Sequence, residues 1–143
     1  ANDLVGRKIL RDQGAALGSY LEEIIETAQS LEAHEQLKPM AVKLKEAVAN
    51  LQSATRFVLE NAQSSQKFVG AVAYNYLMMM GYVAGAWYMA RTAECATAEL
   101  DGPDRSFYER KLASAKFYFA QLLPRHKGYL DAVIKSVSND NSV

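Results

Sequence analysis

FVGAVAYNYLMMMGYVAGAWYMA, residues 68–90, runs for twenty-three residues without Asp, Glu, Lys, Arg or His between Lys67 and Arg91. A run of that length spans a bilayer as a helix, so it is either a transmembrane segment or a helix buried on most sides by protein. Its composition favours burial in protein. Insertion is driven by Leu, Ile, Val and Phe, each worth about −0.3 to −0.6 kcal/mol at the helix centre, and only Phe68, Val69, Val72, Leu77 and Val83 qualify. The remainder is Gly, Ala, three Met, amphipathic Tyr and Trp, and a polar Asn75. The expectation is a core helix of a water-exposed domain.

On either side of this run the chain reads as helical. Prolines occur only at 39, 103 and 124, strand-like alternation is nearly absent, and Ala, Leu, Glu, Lys and Gln fill the polar segments. Asp3 is placed to cap a short first helix carrying Leu4, Val5, Ile9 and Leu10, interrupted at Gln13 and Gly14. Leu17, Leu21, Ile24, Ile25, Ala28 and Leu31 then form one apolar stripe. Lys38-Pro39 starts a second stripe of Met40, Leu44, Val48, Leu51, Thr55 and Val58. A turn over 61–65 follows, with Ser64 or Ser65 as N-cap of the uncharged helix, which is expected to continue toward Leu100.

Asp101-Gly102-Pro103-Asp104 is the clearest turn. After it come Phe107, Tyr108, Leu112, Ala115, Phe119 and Leu122, a break near Leu123 caused by Pro124, and a last stripe of Tyr129, Leu130, Val133, Ile134 and Val137. Short turns between long helices make neighbours antiparallel. The predicted fold is all-α, an up-and-down bundle of about four long helices plus a short N-terminal helix. Residues 14–137 form the bundle, residues 1–13 an entering helix or linker, and residues 138–143 a frayed, flexible tail.

The 143 residues suit one domain. Sixteen basic residues balance sixteen acidic ones and are scattered, which argues against nucleic-acid binding. A lone Cys95 forms no internal disulfide and fits a reducing, cytoplasmic compartment; no basic segment leads into an apolar run near the start, so no secretory signal is expected.

No constellation of residues completes an active site. His34 and His126 are far apart, and each has a leucine, Leu31 or Leu123, three residues before it where a di-iron site needs Glu. Both are expected at the surface near helix ends. Glu22 and Glu23 project about 100° apart on a helix, and Glu99 with Asp101 reads as a solvated face. Neither pair converges on one substrate atom. Ser64 and Ser65 lack a base, and Cys95 is expected to be inert. Gly81 and Gly85 form a small-xxx-small pair that lets another helix approach, and the aromatic set Tyr74, Tyr76, Trp87, Tyr88, Phe117, Tyr118 and Phe119 is expected mostly in the core. Catalytic, cofactor-binding and metal-binding residues are all read as none.

Three segments in order resemble the C-terminal helical extension of the larger, mainly bacterial acyl-CoA dehydrogenases: DLVGRKILRDQGAAL (3–17), AVAYNYLMMMGYVAGAWYMARTA (71–93) and FYERKLASAKFYFAQLLPRHKGYL (107–130). The first is similar to the end of the dehydrogenase helical domain passing into the extension. The second is similar to the extension's Ala-x-x-Tyr-Leu and Gly-x-Val helix, and the third to its Ala-x-Phe-Tyr followed by Leu-Pro.

In that family FAD accepts hydride from the acyl β-carbon while a glutamate in a Tyr-Glu-Gly-Thr type motif removes the α-proton. That motif has no counterpart in this sequence, so the resemblance transfers no site residue. It implies an inactive accessory domain whose partners are the catalytic body of a parent flavoenzyme and a second subunit in a homo-oligomer. The alternative is a free-standing helical interaction module or a membrane-surface module. Against the latter, no helix pairs a basic face with an exposed Leu and aromatic face.

Overall fold

The computed structural model describes residues 11–61 and 66–140. Five α-helices follow in order: α1 (Ala15–Leu31), α2 (Lys38–Asn61), α3 (Gln66–Ala98), α4 (Arg105–Phe117) and α5 (His126–Asp140). No strand occurs among the described residues. α4 and α5 are one arm bent by a π-turn over Tyr118–Leu122 and a 3-10 turn over Leu123–Arg125, so the four antiparallel arms match the predicted bundle. The expected short N-terminal helix, the Ser64/Ser65 cap and the side chain of Val137 lie outside what is described, while α5 runs to Asp140.

α1 begins where two residues turn left-handed, Gln13 at φ 56° and Gly14 at φ 80°. Gly14 takes that conformation without a Cβ clash, and Gln13 does not. The Asp12 carboxylate holds the pair in place by accepting hydrogen bonds from the backbone N–H of Gly14 (3.0 Å) and of Ala16 (3.1 Å), two donors the first helical turn would otherwise leave unmet. Asp12→Ala is expected to lower stability by about 1 kcal/mol, read as a shift of the urea midpoint with an unchanged slope.

The predicted stripes of α1 and α2 are core, whereas in the last stripe Val133 is buried and Ile134 is exposed. Leu17, Leu21, Ile24, Ala28 and Leu31 of α1 are buried, with Ile25 half-buried beside them, and so are Met40, Leu44, Val48, Leu51, Thr55 and Val58 of α2. α3 packs against α1, α2, α4 and α5, whereas α1 and α5 both reach α2. The long uncharged helix is therefore the central post. At 33 residues it is about 50 Å long, yet among the described residues no helix is long and apolar enough to cross a membrane.

Pro124 produces the predicted break. It cannot donate a backbone hydrogen bond, and its ring displaces the preceding carbonyl, so the turn before it widens to the π form. The bend lets Leu112, Ala115 and Phe119 on one side and Leu123 and Val133 on the other all reach the core. Phe107 was expected on that apolar stripe but is 46 % exposed, because it sits in the first turn of α4 beyond the reach of α2 and α5.

Candidate functional site

α3 carries two rows of residues on opposite sides. Val72, Tyr76, Met79, Val83, Ala86, Ala90 and Ala93 alternate steps of four and three and are fully buried. That heptad spacing keeps one seam facing the bundle along the whole helix. Gly70, Tyr74, Leu77, Gly81, Ala84 and Tyr88 follow the same spacing half a turn away and face water. Tyr74 is 59 % and Tyr88 67 % exposed. The expectation that this run is buried on most sides is thus corrected: one face is core and the other is an uncharged row open to solvent.

Small residues on the buried seam explain why α3 can be central. Ala86, Ala90, Ala93 and Ala96 let neighbouring helices approach where larger side chains would hold them apart. At the other end the seam carries Tyr76, whose hydroxyl lies 2.5 Å from Thr55 Oγ1. Thr55 spends its own proton on the Leu51 carbonyl at 2.8 Å, so Tyr76 donates and Thr55 accepts. Burial pushes the Tyr76 phenol up to about 12. Trp87 is fixed by donating its indole N–H to Thr27 Oγ1 (2.9 Å) and by an edge-on contact with Tyr20.

Gly85 has a role other than helix approach. A Cβ built there would lie 2.8 Å from Tyr118 Cζ, because the phenol of Tyr118 crosses this spot to donate a 2.6 Å hydrogen bond to the Tyr82 carbonyl. That places the π-turn against α3, and burial raises the Tyr118 phenol to about 12. A Cβ at Gly81, by contrast, would meet nothing within 4 Å. The small-xxx-small pair therefore splits: Gly85 admits a tyrosine, and Gly81 belongs to the open row.

The aromatic set divides in the same way. Tyr76 and Phe119 are core, and Trp87 and Tyr118 are half-buried and hydrogen-bonded, but Tyr74, Tyr88 and Phe117 are exposed. Tyr74 meets Tyr129 edge-on at 6.4 Å, and Tyr129 in turn stacks on Tyr82 at 5.9 Å.

His126 also corrects an expectation. It is 2 % exposed rather than at the surface, because Pro124 turns the chain inward just before it. Its Nδ1–H donates to the Leu123 carbonyl at 2.6 Å, and Nε2 accepts from the Asn50 amide at 2.9 Å. Both nitrogens are thereby used, and the ring ties α5 to α2. His34 is half-buried.

None of the carboxylate pairs converges. Glu22, Glu23, Glu99 and Asp101 are all exposed, and among the described residues no group of three or more His, Cys, Asp or Glu could hold a metal ion. Cys95 is an exposed free thiol.

At the end of the open row, where Tyr88 belongs to both, a cleft of about 360 Å³ lies between α3 and α4, lined by Tyr88, Arg91, Thr92, Cys95, Ala96, Phe107, Tyr108 and Lys111. Arg91 sits over Trp87 at 5.2 Å and Lys111 over Phe107 at 5.3 Å. These cations escaped notice in the sequence because the turn at 101–104 separates them; only the fold brings them together.

A sequence model for a family described as acetyl-CoA dehydrogenase C-terminal like matches residues 20–140. The broad-specificity linear acyl-CoA dehydrogenase FadE5 of Mycobacterium tuberculosis is 33 % identical over 98 % of this chain and 24 % of its own length. The 3-methylmercaptopropionyl-CoA dehydrogenase of Ruegeria pomeroyi is 33 % identical over 86 % of this chain and 21 % of its own. The chain thus spans between a fifth and a quarter of the length of these relatives. With a match that covers the bundle from Tyr20 in α1 to the end of α5, this chain belongs to the acetyl-CoA dehydrogenase C-terminal-like family.

Proposed function

We propose that this chain is the accessory C-terminal helical domain of a cytoplasmic, FAD-dependent acyl-CoA dehydrogenase, and that it serves packing and assembly rather than chemistry. The parent would oxidise an acyl-CoA thioester to the 2,3-enoyl-CoA. Support for that activity comes from the two relatives, whose names are those of acyl-CoA dehydrogenases.

The observation that carries the assembly role is the uncharged row Gly70, Tyr74, Leu77, Gly81 and Ala84 along the exposed side of α3. A water-facing helix ordinarily places charge on that side, and a row without charge fits a partner surface. More than three quarters of each relative's length lies outside the matched region, which supplies an occupant for the row: the catalytic body of the same polypeptide. A homo-oligomer of such a parent would be assembled through that body.

The residues of this chain do not fit a flavin. Its described clefts are shallow and open to solvent, as between α3 and α4, whereas a flavin needs an enclosed slot that excludes water around the ring. FAD and the proton-abstracting glutamate are accordingly assigned to the parent's other domains. The test is direct: the purified chain is expected to show no flavin absorbance and no acyl-CoA-dependent reduction of an electron acceptor. Stoichiometric FAD with turnover would overturn the reading.

A further inference from the structure

We infer that the cleft between α3 and α4 is a binding site for a nucleoside phosphate, with the phosphate held by Arg91 and Lys111 and the base laid on Tyr88. Its volume, about 360 Å³, falls within the range of small-molecule sites, roughly 300–1,000 Å³. No acidic residue lines it. Neither Arg91 nor Lys111 has an ion-pair partner among the described residues, whereas Arg105, Lys38, Lys45 and Lys127 each pair with a glutamate. Two unneutralised cations, Arg91 on the α3 wall and Lys111 on the α4 wall, favour an anion between them.

Both cations are also held in place. The guanidinium of Arg91 lies over Trp87, itself anchored to Thr27, and the ammonium of Lys111 lies over Phe107, whose ring meets Tyr108 edge-on at 5.1 Å. Stacking on an aromatic face orients a cation without cancelling its charge. Less side-chain freedom is then lost when an anion arrives. Guanidinium and ammonium together match phosphate, the first through paired N–H donors and the second as a point charge.

The ring half of the ligand follows from Tyr88. It is 67 % exposed and has no ring partner among the described residues. Phe107, on the opposite wall, is also exposed at 46 %. An inorganic anion would leave both rings in water, and a purely apolar ligand would leave both cations unmet. A phosphate joined to a flat heterocycle satisfies both, since a base stacks on an aromatic side chain through its π-face. This site goes beyond the proposed assembly role and does not depend on it: the cleft shares only Tyr88 with the open row, and both of its cations, Arg91 and Lys111, lie outside the row.

The test is calorimetric titration of the 143-residue chain with AMP, adenosine and inorganic phosphate at low salt. Saturable binding of AMP is expected, about tenfold tighter than either adenosine or phosphate and weakening as salt rises. Arg91→Gln and Lys111→Gln are each expected to weaken AMP about fivefold or more, and Tyr88→Leu about fivefold or more. Arg110→Gln, an exposed cation outside the cleft, is expected to change nothing. Thermal melts of each variant separate lost binding from lost folding. The inference is overturned by absence of saturable AMP binding, by phosphate alone binding as tightly as AMP, or by Arg110→Gln weakening AMP as much as Arg91→Gln.

Discussion

Tyr76→Ala is expected to lower the stability of the domain by about 3–5 kcal/mol, the range for deleting a large buried aromatic. Tyr76 is fully buried on the central helix, and its ring fills space between α2 and α3. Tyr76→Phe keeps that volume and removes only the hydrogen bond to Thr55, so about 1 kcal/mol is expected. Urea unfolding of the two variants against the parent chain measures both, and the difference between them is the packing share.

The same residue gives the domain an alkaline limit. Burial raises its phenol from 10.0 to about 12 in the folded state. Below pH 10 the group is neutral whether the chain is folded or not, and its stabilising contribution is fully present. Between pH 10 and 12 the unfolded chain ionises it while the folded chain does not. Stability then falls by about 1.4 kcal/mol per pH unit, to a total of roughly 2–3 kcal/mol. Tyr118 is raised for the same reason and acts in the same direction, damped by its contact with water. A Tyr76→Phe variant is expected to lose stability less steeply over this window; an unchanged slope would contradict the assignment.

The second large effect lies at Gly85. Gly85→Val is expected to cost about 2–4 kcal/mol, because its Cβ and methyl groups occupy the path of the Tyr118 phenol and break the bond to the Tyr82 carbonyl. Gly85→Ala is the more discriminating change. Alanine favours the helix over glycine by about 1 kcal/mol, so in the native context the clash and the helical preference oppose one another and a net loss is expected. With Tyr118→Leu already in place the clash is removed. Gly85→Ala should then stabilise by up to about 1 kcal/mol, a reversal of sign that a double-mutant cycle reads directly.

The stripes of α1 and α2 were readable in the sequence because each alternates apolar and charged positions, so periodicity names the inward face without any knowledge of neighbours. Pro124 announced its bend through backbone chemistry alone. α3 was readable as a helix but not as a surface: with no charge from residue 68 to residue 90, its buried and open rows look alike, and only the packing of α1, α2 and α5 decides between them. Gly85 and Tyr118, or Asn50 and His126, are separated by long stretches of chain, and nothing local marks them as partners. Arg91 and Lys111 are likewise ordinary surface cations until the turn at 101–104 folds α4 back along α3.

The central claim is that the uncharged row of α3 is covered by the catalytic body of a longer flavoenzyme. Leu77→Cys and Ala84→Cys, each in a Cys95→Ser background, place single thiols on that row, and Gln52→Cys places one on an exposed position of α2. Maleimide labelling rates are then compared between the isolated chain and the full-length enzyme. All three thiols are expected to react at similar rates in the isolated chain, with those at 77 and 84 slowed about tenfold or more in the enzyme and that at 52 unchanged. Equal reactivity of positions 77 and 84 in the two contexts would contradict the account.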